Sequence, residues 1–179
     1  MVRKVSYLFL VFILYSCCYT GIRSPNGLPR RKIHPLPMNT DYTLIDTMAL
    51  YKIDYFYSRN GLTKEVSRHY KDIDNTYPYT SYFKFYAKGK VGLFIIPKKD
   101  TLHLERGLFN PEQAKMGYFY IDKNRIRIST IGDCNLYISN DKGSISKDTI
   151  DVINKNNIGI VHIRKEVPKE LLEGWEPDW

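Results

Sequence analysis

The chain has 179 residues, 43% hydrophobic and 26% charged, a balance that excludes both a disordered chain and a multi-span membrane protein. With 11 Gly and 9 Pro it is neither collagen-like nor of low complexity, and its formal charge of +8 makes it basic. The 15 Tyr and 8 Phe bias the composition toward strands. In chain order, Met1 to Lys4 carries Arg3 and Lys4, and Val5 to Tyr15 is almost wholly apolar. That run is too short for a helix crossing about 30 Å of hydrocarbon, which takes about 20 residues. A charged start before a short apolar run predicts a secretory signal.

The next residues are Leu14-Tyr15-Ser16-Cys17. They resemble the lipobox of bacterial lipoproteins: an aliphatic residue three before a cysteine and a small residue just before it. The resemblance implies that residues 1–16 are a lipoprotein signal peptide. It also implies that Cys17 is thioether-linked to diacylglycerol and acylated, with fatty acids of the palmitate class, at its freed amino group. Several acyl chains anchor a soluble domain stably, since each buried methylene contributes about 0.8 kcal/mol. Cys17 is followed by Cys18 rather than Asp. By resemblance to lipoprotein sorting rules, that implies the outer membrane, facing the periplasm.

Without residues 1–16 the chain keeps 25 basic against 19 acidic residues, a balance of +6. The basic residues are scattered apart from Arg30-Arg31-Lys32, which reads as a solvated surface, and no nucleic-acid partner is expected. Cys18 and Cys134 are expected as unpaired thiols, with a disulfide between them as the alternative. No CxxC spacing and no Cys–His cluster exists, so neither a metal nor another cofactor is expected.

Residues 17–41, with Pro25, Pro29, Pro35 and Pro37 and no apolar period, read as a lipidated cysteine and a tether. Residues 42–166 read as a β-rich globular domain of short aromatic or β-branched runs between Gly, Asn and Asp turns. The spacing predicts Ala49, Tyr51, Ile53, Tyr55 and Tyr57 on one face of a first strand closed by Asn60-Gly61. Leu62 to Asn75 reads as a short helix or an irregular loop. Tyr79 to Ala87 and Lys90 to Ile96 read as a hairpin across Lys88-Gly89. Asn110-Pro111-Glu112 predicts a helical turn with Asn as cap. Met116 to Asp122 and Arg125 to Ile131 read as a hairpin across Lys123-Asn124, with Ile126 and Ile128 inward. Asn135 to Asn140 is expected to pair with Ser144 to Ile153 across Asp141-Lys142-Gly143, and Ile158 to Lys165 is the last strand. Residues 167–179 read as a tail with a short helix stopped by Gly174, one indole of Trp175 or Trp179 folding back to plug an end of the sheet.

The expected fold is therefore all-β: an antiparallel meander of about eight strands with short helical turns and a C-terminal tail. Residues 79–153 also resemble small, β-rich lipoproteins of Bacteroidetes, through the aromatic strand and Gly turn, Gly117-Tyr118-Phe119-Tyr120 and Asp148-Thr149-Ile150. That resemblance implies a small barrel or half-barrel of lipocalin-like character, and no activity. Phe83, Phe85 and Ala87, with Val91, Leu93 and Ile95 opposite, are expected to line the interior, and Ile126, Ile128, Leu136, Ile138, Ile150 and Val152 add enough bulk to predict a filled core rather than an open calyx.

Candidate chemistry is sparse. His34 lies in the tether and His69 in the charged loop. His162 alternates within the last strand as a satisfied or half-exposed residue, and His103 with Glu105 on one strand face reads as a candidate base and orienter or as two metal ligands lacking a third. Asp148 with Asp151 and Asp72 with Asp74 read as solvated edges. No nucleophile or phosphate-loop motif appears, so no catalytic residue is assigned. The surplus of tyrosine suits contact with sugars or proteins. The function expected is a membrane-anchored, non-enzymatic binding module of the bacterial envelope, held by its N-terminal acyl anchor, for a protein partner or a small apolar or glycan ligand. The alternative is a hydrolase of envelope glycans or peptides. With a filled interior, recognition would fall to outer tyrosines and the 97–115 loop, through Lys98, Lys99 and Arg106.

Overall fold

A computed structural model describes residues 21–31, 33, 41–59, 66–70, 77–132 and 137–179. Cys17, Cys18, Cys134, His34, Asn60-Gly61, Asp72 and Asp74, and Leu136 lie outside the described residues. No helix among the described residues is long and apolar enough to cross a membrane.

Short hairpins dictate the architecture. Lys88 and Gly89 both have positive φ (58° and 67°), the backbone that twists two strands into register. They join β3 (Tyr79–Phe85) to β4 (Lys90–Pro97). Lys123 (φ 57°) turns β5 (Lys115–Asp122) into β6 (Arg125–Ile131). Lys147 (φ 44°) turns β7 (Ile138–Ser146) into β8 (Thr149–Ile153), and the Asn154–Asn157 turn leads to β9 (Ile158–Lys165). Every neighbour in the series β3 to β9 pairs antiparallel.

β1 (Leu50–Arg59) closes the ring, since one of its edges pairs with β9 from Leu50↔Lys165 to Ser58↔Ile158. Its other edge forks. Leu50, Tyr51 and Lys52 pair with β3, whereas Phe56, Ser58 and Arg59 pair with β2 (Val66–Tyr70). The result is an all-β, eight-stranded antiparallel barrel with β2 appended, and among the described residues the helical segments are all short 3₁₀ turns.

Three expectations about the strands need correction. Asp141-Lys142-Gly143 is not a turn: those residues sit inside β7, and the chain reverses at Lys147. Part of the 62–75 segment is the strand β2, which includes the backbone of His69. A bulge between Ile53 and Tyr55 breaks the odd-numbered alternation of β1, so Tyr51, Ile53 and Phe56 share the phase of His162 and Ile160.

The barrel has two different halves. At the end bearing the tight hairpins, Tyr51, Phe83, Phe85, Val91, Phe119, Ile121, Ile126, Ile128, Ile145, Ile150 and Val152 pack into one buried cluster, with Ile45 from the preceding loop as its lid. Edge-to-face ring pairs tie it together, Tyr51–Phe85 at 5.2 Å and Phe85–Phe119 at 4.8 Å. Arg164 ties this end to its flanking loop, with Nη2 donating to Asp46 Oδ2 at 2.6 Å and Nη1 to Glu166 at 2.9 Å. The other half is not filled, contrary to the expectation of a solid core: Ile138 is only half-buried, and Ala87 and Ile95, expected inside, are exposed.

A second apolar layer lies outside the wall. Leu50, Tyr82, Phe94 and Ile96 face outward from β1, β3 and β4 and are covered by Phe109, Ala114 and Leu172. The cover comes from residues 98–114, whose 3₁₀ turn at Pro111–Gln113 is capped by the Asn110 side chain as expected, and from the tail. The 3₁₀ turn at Lys169–Leu171 is followed by Gly174 with φ 74°. The Trp179 indole donates to the Gly117 carbonyl at 3.2 Å, so it clasps the barrel's flank rather than plugging an end.

Arg30 completes that clasp. Its Nε meets Asp178 at 2.9 Å, and its other nitrogens donate to the carbonyls of Ala114 and Pro111 at 3.1 Å each. Within the segment read as a tether, residue 30 is thus a buried anchor, stacked over the Trp179 ring.

Candidate functional site

The unfilled half of the barrel is a cavity of about 490 Å³. Its walls follow from strand register. β3 and β4 set Phe83 opposite Leu93, and β8 and β9 set Val152 opposite Ile160. On β1, Ile53 and Phe56 enter on either side of the bulge. These apolar walls meet polar residues that share the inward phase: Thr130 on β6, Ser139 and Asp141 on β7, and His162 on β9. Around the mouth stand Lys115, Tyr137 and the 154–156 turn, with the Lys155 ammonium over the Tyr137 ring at 5.8 Å.

A smaller cavity of about 210 Å³ adjoins the first at the fork between β1 and β3, and shares Ile53, Phe56 and Ser81 with it. Its outer wall is a run of rings, Phe56–Tyr77 at 6.3 Å and Tyr77–Tyr79 at 5.9 Å.

Two polar groups of the main cavity have an unusual setting. His162 is 2% exposed, its ring 4.6 Å from that of Phe83, and its Nδ1 has no hydrogen-bond partner. Burial pushes its pKa down to about 3, so the imidazole is neutral at any ordinary pH. Asp141 is 8% exposed and accepts one hydrogen bond, from Ser139 Oγ at 2.7 Å. Burial pushes its carboxyl above the usual range, and the Ser139 hydroxyl only partly offsets this. Buried polar groups are normally satisfied, so the unpartnered His162 Nδ1 beside the largely buried Asp141 sets this cavity apart from the packed half of the barrel.

The residues singled out by sequence fare differently. His103 and Glu105 are exposed in the 98–114 connection rather than on a strand, and the described residues include no group of three or more His, Cys, Asp or Glu that could hold a metal. Asp151 accepts from the Tyr57 hydroxyl at 2.7 Å, and Asp148 lies 3.8 Å from Arg164, so each serves the wall of the barrel. Arg106 is not a free contact residue: it stacks over Trp175 at 4.7 Å and donates to the Glu170 carbonyl. His162 is not the satisfied strand histidine expected. Sequence reasoning passed over Asp141 by placing it in a turn. The available signal was phase, since Asp141 lies four residues from the buried Ile145 on the same strand.

The class defined by this fold and site is a small closed antiparallel β-barrel with an interior, partly polar cavity at one end. No protein-family model, no curated protein and no solved structure matches the chain.

Proposed function

We propose that the protein is a lipid-anchored, non-enzymatic binding module of the bacterial envelope whose barrel takes a small ligand into its open half. The observation that carries this reading is the cavity itself. At about 490 Å³ it lies within the size range of small-molecule sites, and it combines apolar walls with a few convergent polar groups. Between the two kinds of partner the sequence left open, a cavity favours a small ligand over a protein surface.

The neutral fluorophore N-phenyl-1-naphthylamine should bind one molecule per chain, and Leu93→Trp, which fills the space from the β4 wall, should abolish binding while the β-type circular dichroism spectrum persists. Binding unaffected by Leu93→Trp would remove the cavity from the proposal. The anchor rests on Leu14-Tyr15-Ser16-Cys17. Replacing Cys17 with Ser should end labelling by a clickable fatty acid and release the protein from the outer-membrane fraction; unchanged labelling would refute it. Resistance to protease added to intact cells is the expected sign of a periplasm-facing domain.

A further inference from the structure

The groups lining the cavity bear on the charge of its ligand, an inference that rests on the reading that the cavity is the binding site. Asp141 places a carboxylate on the inner wall of β7, 8% exposed, with the Ser139 hydroxyl as its one hydrogen-bond donor. Among the described residues no Lys or Arg pairs with it. Two lysines line the same cavity, but Lys155 lies over Tyr137 and Lys115 is engaged elsewhere. A buried carboxylate without a cation is costly, and proteins seldom keep one unless something pairs with it. The surroundings of Asp141 suit an organic cation better than a hydrated metal ion. The cavity's apolar wall includes Phe83, Leu93, Ile53 and Ile160, and no second carboxylate is among its lining residues. Metal ions of the magnesium and calcium class require several oxygen ligands. An ammonium with an apolar body requires one carboxylate and a dry wall, with aromatic faces adding cation–π attraction. His162 Nδ1, buried and unpaired in the same cavity, offers a hydrogen-bond position to a second polar group of the ligand.

We propose that the cavity holds a small organic ammonium ion, its charge on the Asp141 carboxylate and its apolar body against Phe83, Leu93 and Ile160. Three probes of one shape test this on the unaltered mature chain by titration calorimetry: 2-phenylethylamine, 2-phenylethanol and 3-phenylpropionate. The amine should bind at least tenfold more tightly than the alcohol, and the acid least. Asp141→Asn, nearly isosteric, should weaken the amine at least tenfold and leave the alcohol unchanged. Equal or tighter binding of the alcohol or the acid would overturn the proposal, as would amine affinity indifferent to Asp141→Asn. If N-phenyl-1-naphthylamine binds and the amine does not, the ammonium proposal fails while the cavity reading stands; if none of the four binds, both fail. The ranking of the three probes needs no variant, so it decides even if Asp141→Asn does not fold.

Discussion

His162 shows how one buried side chain sets a pH limit on the whole barrel. Its folded pKa, about 3, lies below the ordinary 6.5 because burial penalises the imidazolium. The unfolded chain therefore binds a proton that the folded chain refuses, and stability present above about pH 6.5 is lost as the pH falls toward 3. Asp141 works the other way. Its carboxyl is held above the usual value, so the folded state takes up that proton first and gains on acidification in the carboxylate range. Between pH 6.5 and about 5 the histidine should therefore dominate, costing about 1–2 kcal/mol. Thermal melts of His162→Phe across that window should be nearly flat where those of the parent fall. An equal fall in both would show that His162 is not the group responsible. Neither residue's role was legible in the sequence. A histidine and an aspartate on strands usually face water, and only their phase with Ile160 and Ile145 placed them inside.

At the scale of elements, turns were the most legible feature and phase the least. Lys88-Gly89 and Lys123-Asn124 were readable because a two-residue break of turn-forming residues between alternating runs has few other uses. Asp141-Lys142-Gly143 is also made of turn-forming residues yet runs straight through β7, since pairing to both β6 and β8 outweighs local turn preference. The bulge in β1 carries no residue signature at all. Nor does the docking of Arg30: a basic residue among prolines gives no hint of its partners, which lie 81 to 148 positions away in sequence. That clasp joins the 21–31 segment to the tail through one guanidinium, so its removal should act on both. Arg30→Ala should cost about 2 kcal/mol, because Asp178 and the carbonyls of Pro111 and Ala114 lose their donors together. It should also move Trp179 emission to the red as the indole leaves Gly117. Unchanged melting and fluorescence would show that the clasp contributes nothing in solution.

For the molecule as a whole, composition and strand spacing were enough to specify an all-β antiparallel fold of about eight strands, because the pattern repeats in every hairpin. They could not specify that the ring closes, since closure depends on residues more than a hundred positions apart. The seam between β1 and β9, Tyr51↔Arg164 and Ile53↔His162 among its pairs, has a temporal consequence. Hairpins β3–β4, β5–β6 and β7–β8 join neighbours in sequence and can form within microseconds. The seam instead pays the loop-closure entropy of nearly the entire domain before its contacts repay it, so it forms after the hairpins. We expect the rate-limiting nucleus to form within the hairpins, before the seam's side chains engage. Ile53→Val should leave the folding rate nearly unchanged and hasten unfolding, whereas Ile128→Val, inside a hairpin, should slow folding. Stopped-flow rates showing the reverse would place closure first. The barrel's last joint should in this way also be its first to part, along β1, one of the strands that wall the cavity.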